Sequence, residues 1–501
     1  WMIRRAIQSQ RNLHLFVFPS TFAPSKYYIA TLTAAAALAV HSPTSVASFS
    51  TQSPVMPAKP YAFLPKDKSG LLDLSTLSSE LNESRQKREA AYDAGRKIQA
   101  AIIRSKTAVD DGLEPENDVE KMVIEIVGNE ASRQPREANL GNKVEDCVGL
   151  TAFIHFLEKG TLLPPSATPF ATDEEWLSAV MSLAREINRY ALGRATARDT
   201  ESVGMAKDLV QSILEYLLKF NFRNGPLRLK YDGVKYSLMN LETLLYELAV
   251  TSNDSGEKPA KMQKLDPSGL LADEELKELL DRMEHRDILR ETLIKRCRDG
   301  QKAAKQAIFA LHRQDAKKAK NLMDQCEDMI QKDLLPIVEE EPPLKYGSFA
   351  NFLEEYAEAK LFYAWLYGDT TQVPEMTPAT PPANLLTQKD FEPLILEPSA
   401  YLGGLCDLTG EVGRFAVQRA TQRDEEGVKL CLATNRSILT ALQMMERLPR
   451  RIGKKMGQLE KSVEKLERIL YEMSLSEAAG GRNVQTNIMD IEPESKESND
   501  N

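Results

Sequence analysis

Residues 401–415 read Tyr-Leu-Gly-Gly-Leu-Cys-Asp-Leu-Thr-Gly-Glu-Val-Gly-Arg-Phe, and the helical character of the whole chain can be argued from them. Their apolar residues recur at steps of three and four, which is the period of a helix with one buried face. Asp407 and Glu411 are four residues apart, so their carboxylates lie one turn above each other beside that face. Four glycines interrupt the stretch, each costing a helix interior up to about 1 kcal/mol relative to Ala, so we expect another element to approach closely. The stretch therefore predicts a core helix with two like charges that lack an obvious counter-ion.

The same helical periodicity continues on both sides of this stretch, and no segment convincingly alternates as a β-strand would. We therefore predict an all-α fold with no sheet. Residues 251–271 are polar and rich in turn-forming residues, which predicts a linker between one helical module at 70–250 and a second at 272–475. The polar residues 476–501 predict a disordered tail.

The composition limits the kinds of chemistry that this chain can carry out. Its 501 residues have a net charge of -9, which excludes a uniformly basic nucleic-acid coat but not a local basic groove. The five cysteines form no CxxC pair, which favours free thiols in a reducing compartment. The sequence has no P-loop, GxSxG, HExxH or dinucleotide fingerprint. Any chemistry must therefore depend on carboxylates.

Residues 1–66 differ in composition from the rest of the chain. They contain no Asp or Glu but several Arg and Lys, and Ser, Thr and Ala are concentrated between residues 30 and 52. This composition predicts a leader of the mitochondrial or plastid transit type. The alternative is a 5′ extension of the reading frame, with Met56 as the true start. The apolar run at 29–40 is too short to span a bilayer, so we expect no membrane partner.

The second module is a copy of the first. Residues 176–248, placed on residues 401–473 without a gap, are identical at 23 of 73 positions. A fixed offset of 225 over this length indicates that a whole helical module was duplicated.

The duplication shows which acidic residues only the second copy keeps. The aligned pairs are Glu355 with Asp146, Glu358 with Gly149, Asp407 with Ser182, and Glu411 with Glu186. Glu355 and Glu358 are three residues apart and share a helix face. If the two acidic helices face each other, four carboxylates converge, and such a donor set suits Mg²⁺ or Mn²⁺ and hydrolysis of a phosphodiester. The alternative is that each pair of acids lies on a solvated helix face.

These stretches resemble the translin family. Residues 401–411 and 353–362 are similar to the signature helix and the acidic helix of translin-associated factor X, whereas residues 229–236 and 244–248 more nearly resemble translin. The resemblance covers about residues 70–475, and it implies two tandem bundles of about seven helices each.

The resemblance also implies a function. It indicates a Mg²⁺-dependent endoribonuclease that cleaves single-stranded RNA, including passenger strands in RNA silencing and tRNA fragments. The family's catalytic and metal-binding acids carry over onto Glu355, Glu358, Asp407 and Glu411. A homo-oligomer or an assembly with other translin-family subunits in a closed barrel, in the cytoplasm and nucleus, is implied as well. The alternatives are a non-catalytic protein that binds single-stranded DNA or RNA, as translin is described, and a helical scaffold that binds neither.

Two sets of basic residues are candidates for binding nucleic-acid phosphates. One set is Arg450, Arg451, Lys454 and Lys455, and the other is Arg286 and Arg290 on the first helix of the second module, where Lys295, Arg296 and Arg298 follow. A solvated helix junction is the alternative for the first set. His155 and His312 are interpreted as packing or surface residues. The stretch at 138–143, where translin has a basic nucleic-acid segment, is nearly without basic or aromatic residues, so the first module departs from the family's nucleic-acid-binding pattern at this segment.

Overall fold

The computed structural model describes residues 72–115, 118–132, 136, 138–222, 225–253, 269–368, 370–374, 378–394 and 396–478. Within these ranges the protein is all-α and has no β-strand, which confirms the fold class predicted from the helical periodicity. The predicted leader, most of the predicted linker and most of the predicted tail lie outside the described residues. Those segments, and the compartment that the leader would decide, stay predictions.

Two successive sets of helices make up the described chain. The N-terminal half contains α1 (Ser75–Asp110), α2 (Val119–Val127), α3 (Ala138–Lys159), α4 (Asp173–Thr196), α5 (Thr200–Leu217) and α6 (Pro226–Asn253). The C-terminal half contains α7 (Asp273–His312), α8 (Ala316–Met329), α9 (Leu335–Glu340), α10 (Ser348–Tyr367), α11 (Pro398–Thr421), α12 (Glu425–Gln443) and α13 (Arg450–Ala478). A single π-helical turn joins α8 to α9.

The backbone repeats the duplication seen in the sequence. Arg198 after α4 and Arg423 after α11 both have a left-handed backbone, with φ of 60° and 59°. The next residues, Asp199 and Asp424, each cap the following helix by accepting a hydrogen bond from a backbone N–H three residues later. The same turn at the same offset shows that α4–α6 and α11–α13 are two copies of one helical unit.

Each half has its own hydrophobic core. Trp176 and Phe170 are fully buried in the core of the N-terminal half, and Trp365, Tyr356 and Tyr401 are fully buried in the core of the C-terminal half. Buried aromatic side chains of this size remove the most apolar surface from water per residue, so they dominate the stability of each core. The core of the C-terminal half centres on α10 and α11, the two helices that carry the predicted acids.

The two halves exchange the starts of their first helices. Leu74 and Leu77, at the start of α1, belong to the core of the C-terminal half. Leu276 and Leu279, at the start of α7, belong to the core of the N-terminal half. The two leucine pairs are equivalent, since a single offset of 202 relates them and also relates the ends of α1 and α7. The Tyr216 hydroxyl reinforces this contact by donating a 2.7 Å hydrogen bond to the carbonyl of Leu276.

None of the helices in the described part of the chain combines the length and the apolar character needed to cross a membrane. The five cysteines are all buried, and none is in a disulfide, as the lack of a CxxC pair predicted.

Candidate active site

The backbone of α11 approaches α10 closely at two glycines. A Cβ atom added at Gly404 would lie 3.0 Å from the carbonyl oxygen of Glu354 and 3.0 Å from the backbone nitrogen of Glu358. A Cβ atom at Gly403 would lie 2.5 Å from the carboxyl carbon of Glu354. At Gly410, by contrast, nothing lies within 4 Å of the added atom. The close approach expected from the glycines is therefore confirmed for Gly403 and Gly404, and it brings the acidic faces of two helices together.

We expect Gly404→Ala to lower the free energy of unfolding by roughly 1–3 kcal/mol, because the added methyl group overpacks a contact between two helix backbones. Gly410→Ala is the matched control on the same helix, and it should raise the free energy of unfolding by up to about 1 kcal/mol. Urea denaturation of both variants provides the comparison. If Gly404→Ala were as stable as the parent, the two helices would be able to separate at no cost.

The four predicted acids lie in one region of the structure, on two neighbouring helices. Glu355 and Glu358 are on α10, and Asp407 and Glu411 are on α11. Glu358 is only 8% exposed. Its burial, and then the negative charges of the other three acids, raise the pKa of Glu358 to about 9, although Lys455 acts in the opposite direction. The carboxyl group of Glu358 therefore keeps its proton at neutral pH.

Each of the other three acids contacts a basic side chain from a different helix. Lys455 Nζ lies 2.6 Å from both carboxylate oxygens of Asp407. Lys305 Nζ lies 3.3 Å from Glu355 Oε1, and His312 Nε2 is hydrogen-bonded to Glu411 Oε2. Lys455 and Lys305 thus place positive charge beside Asp407 and Glu355, and His312 is a hydrogen-bond partner of Glu411.

The donor chemistry of the cluster fits a divalent cation. Carboxylate oxygens are the ligands that Mg²⁺ and Mn²⁺ prefer, and a cation would favour the ionised form of Glu358, which burial and then the neighbouring acids disfavour. In the described residues, however, no group of three or more His, Cys, Asp or Glu side chains is arranged to hold a metal ion. Asp407, Glu411 and Glu355 would therefore have to leave their basic partners before they could bind one.

One ion pair of this region occurs in both halves of the protein, whereas Asp407 occurs only in the C-terminal half. Lys455 also contacts Glu354 Oε1 at 2.7 Å, and the N-terminal half has the equivalent pair of Lys230 with Glu145. A pair present in both copies belongs to the shared fold. Asp407 is different, because the equivalent position in the N-terminal half is a serine.

The predicted phosphate-binding set at the start of α13 lies beside the acids. Lys455 contacts Asp407, and the Arg451 guanidinium lies 3.0 Å from Glu354 Oε2. Burial opposes the charge of Lys455, but its hydrogen bonds to the two carboxylates outweigh burial and raise its pKa. Arg450 and Lys454 are exposed in the same two turns of the helix.

The other predicted set, on α7, lies at a distance from the acids. Arg286 precedes Lys305 by 19 residues on the same helix, which corresponds to about 28 Å. Its guanidinium contacts Glu174 at 2.7 Å and Glu341 at 2.8 Å, so it joins the two halves. Arg290 is exposed one turn further along α7. The structure therefore places the α13 set, and not the α7 set, next to the acidic cluster.

Two basic residues at the acids were not found by the sequence reasoning. His312 is buried against the ring of Phe362, with ring centroids 4.9 Å apart, and it also contacts Glu411. Packing therefore describes only part of its role. Lys305 was not singled out at all. A comparison of α7 with α1 at the offset of 202 would have drawn attention to both residues. The position equivalent to His312 is an aspartate and the position equivalent to Lys305 is an isoleucine, so the basic residues occur only in the second copy.

Fold and site together define a tandem all-α protein in which one of two copies carries a partly buried acidic cluster. The sequence model of the Translin family matches residues 117–252 and 288–477, which is more than half of the chain. The chain belongs to the Translin family, as the resemblance indicated.

Individual relatives are similar to parts of the chain. Translin of Bos taurus is 28% identical over 130 residues, which are 23% of this chain and 57% of that protein. Translin of Gallus gallus is 29% identical over 131 residues, again 57% of its length. The chain thus spans little more than half of the length of these curated relatives. The translin-associated protein X homolog of Schizosaccharomyces pombe is 28% identical over 204 residues, covering 38% of this chain and 82% of that protein.

Solved structures also match part of this chain. One is described as apo-NeC3PO, with 17% identity and a TM-score of 0.34, and it is matched over 40% of this chain and 96% of that chain. Another, described as a complex of AfC3PO with duplex RNA, has 18% identity and a TM-score of 0.34, covering 40% and 98%.

Proposed function

We propose that this protein is a Mg²⁺-dependent endoribonuclease that cleaves single-stranded RNA with its C-terminal half. The observation that supports this proposal is the state of Glu358. Burying a carboxyl group next to three other acids is unfavourable, and the raised pKa of Glu358 reflects that cost. A structural role gives no reason to assemble such a cluster in only one of two copies.

In this proposal each residue of the site has a distinct role. Glu355, Glu358, Asp407 and Glu411 would hold the ion, with Glu358 giving up its proton as the ion arrives. When bound, Mg²⁺ would supply an activated water molecule and would stabilise negative charge on the phosphodiester. Released from Asp407, Lys455 would be available to bind an RNA phosphate, and Arg451, already at the rim, would bind a neighbouring one.

In this proposal the N-terminal half is a structural partner that helps to grip the RNA. It lacks the equivalents of Glu358 and Asp407, and it contributes Leu74 and Leu77 to the core of the half that carries the acids. We further propose an assembly with other translin-family subunits, or with further copies of this chain, in a closed barrel. Passenger strands in RNA silencing and tRNA fragments are the proposed substrates.

A second candidate function is non-catalytic binding of single-stranded DNA or RNA. This alternative is supported by the contacts of Asp407 and Glu355 with lysines and of Glu411 with His312, since the described residues contain no group already arranged to hold a metal. A cluster that stays in this state would leave a rim of basic residues able to bind phosphates without cutting them.

The two functions predict different results with a labelled single-stranded oligoribonucleotide. We expect the full chain to cleave it in Mg²⁺ and to stop cleaving when a chelator removes the ion. The same oligomer made of DNA should bind without being cut. Binding without cleavage at any Mg²⁺ or Mn²⁺ concentration would instead establish the non-catalytic function.

A further inference from the structure

A row of basic residues runs along the exposed surface of α7 toward the acidic cluster. The α7 stripe consists of Arg298, Lys302, Lys305, Phe309 and Arg313, whose spacing of three and four residues keeps them on one side of the helix. All five are exposed, and all but the last line a shallow depression in the surface. Of these residues only Arg298 was among the candidates from the sequence, and the stripe lies further along the helix than Arg286 and Arg290.

Phe309 is an unusual member of this basic surface. Phe309 is 49% exposed, although removing a phenylalanine side chain from water stabilises a folded protein. The guanidinium of Arg313 lies over the ring, 4.5 Å from its centroid. An exposed aromatic face beside cations is the arrangement on which the bases of single-stranded nucleic acids stack.

The stripe reaches the acids directly. Lys305 contacts Glu355, and His312, seven residues later on the same side of α7, contacts Glu411. Phe309 lies between these two contacts along the helix. From Arg298 to Phe309 the stripe extends about 16 Å, enough to follow several phosphates of an extended strand.

The N-terminal half provides an internal comparison. The residues of α1 equivalent to the stripe are Arg96, Ala100, Ile103, Thr107 and Asp111, which carry no net charge and no aromatic ring. Lys302, Lys305, Phe309 and Arg313 have no basic or aromatic equivalent in α1, and only Arg298 has a basic one.

We propose that the α7 stripe binds the single-stranded RNA substrate and leads it to the acids, with Arg298 and Lys302 on phosphates and Phe309 stacked on a base. Lys305 is shared between the two functions, since it leaves Glu355 for a phosphate when the strand arrives. The inference rests on the proposed function, because it assigns the path by which the substrate of that site enters.

Fluorescence anisotropy with a labelled single-stranded oligoribonucleotide, in a chelator so that no cleavage occurs, tests the path. Phe309→Ala should raise Kd about tenfold, and Phe309→Trp should restore binding because it restores a stacking face. The double variant Arg298→Gln, Lys302→Gln should also weaken binding. It should reduce the slope of log affinity against log salt by about 1.4, since two phosphate contacts are lost.

Matched controls come from elsewhere in the chain. Arg96→Gln removes the residue equivalent to Arg298 from α1, and Tyr346→Ala removes another ring of similar exposure, 56%. Both should bind RNA as the parent does, and circular dichroism should show all variants folded.

Three results are possible. Weakened binding in the stripe variants alone supports the path. If the parent cleaves RNA while the stripe variants bind as tightly as the parent, the α7 path is wrong and the proposed function stands. If the parent neither binds nor cleaves RNA, both proposals are wrong.

Discussion

Asp407→Asn is expected to lower the rate of Mg²⁺-dependent RNA cleavage by roughly 100-fold or more, while RNA binding stays close to that of the parent. The substitution keeps the size of the side chain but removes the negative charge that a metal ion needs. Asp407 is also one of the two acids that have no acidic counterpart in the N-terminal half, so its loss removes part of what distinguishes the two copies. Single-turnover cleavage of a labelled oligoribonucleotide measures the effect separately from binding and product release.

Asp146→Asn is the matched control. Asp146 is 38% exposed at its side chain and contacts Lys143 at 3.0 Å, whereas Asp407 is 37% exposed and contacts Lys455 at 2.6 Å. The two variants therefore make the same chemical change in similar surroundings, one in each half. Equal cleavage rates for Asp407→Asn and the parent would defeat the assignment of the acidic site.

Glu358→Gln is expected to have two effects. It should stabilise the metal-free protein, and it should abolish the stabilisation of the protein by Mg²⁺. An unfolded chain ionises this group at its ordinary pKa, whereas the folded protein keeps the proton until about pH 9. The folded state therefore binds more protons between these two values, and the stability of the parent falls as pH rises through that window. Glutamine is neutral throughout, so its advantage should be absent near pH 4 and reach roughly 2–4 kcal/mol at pH 8.

Chemical denaturation at several pH values, with and without Mg²⁺, measures both effects. The parent should gain stability from Mg²⁺ at pH 8, because an ion that binds only the folded state stabilises it. Glu358→Gln should gain little. Parallel pH profiles for the two proteins would show that Glu358 is ionised in the folded state and that the cluster needs no cation.

Much of the site could be predicted from the sequence because the chain contains its own comparison. The offset of 225 showed that Asp407 stands where the other copy has a serine, and helical spacing placed it one turn from Glu411. Glycine has no Cβ atom, so a glycine inside a helix leaves room for another element to approach. The glycines at 403 and 404 therefore indicated a close neighbour, and the structure has one there. These features depend on residues that are close together along the chain or at a fixed offset, so they can be recognised from the sequence.

The partners of the acids could not be predicted in the same way. Lys305 reaches Glu355 across 50 residues of chain, and His312 reaches Glu411 across 99. Helical periodicity shows which face of a helix is buried but does not identify the helix against which that face packs. The exchange of helix starts was missed for this reason too, since the leucines at the start of α1 fit either core equally well by their spacing.

The exchanged leucines have a consequence for how the two copies stay together. Were the two halves separate subunits, dissociation in dilute solution would remove from each core the leucines that its neighbour contributes. A covalent tether holds that neighbour at a high effective concentration, whatever the abundance of the protein. It also fixes the stoichiometry at one acid-bearing copy for each acid-poor copy, so the composition of any larger ring built from this chain would be set when the chain is synthesised.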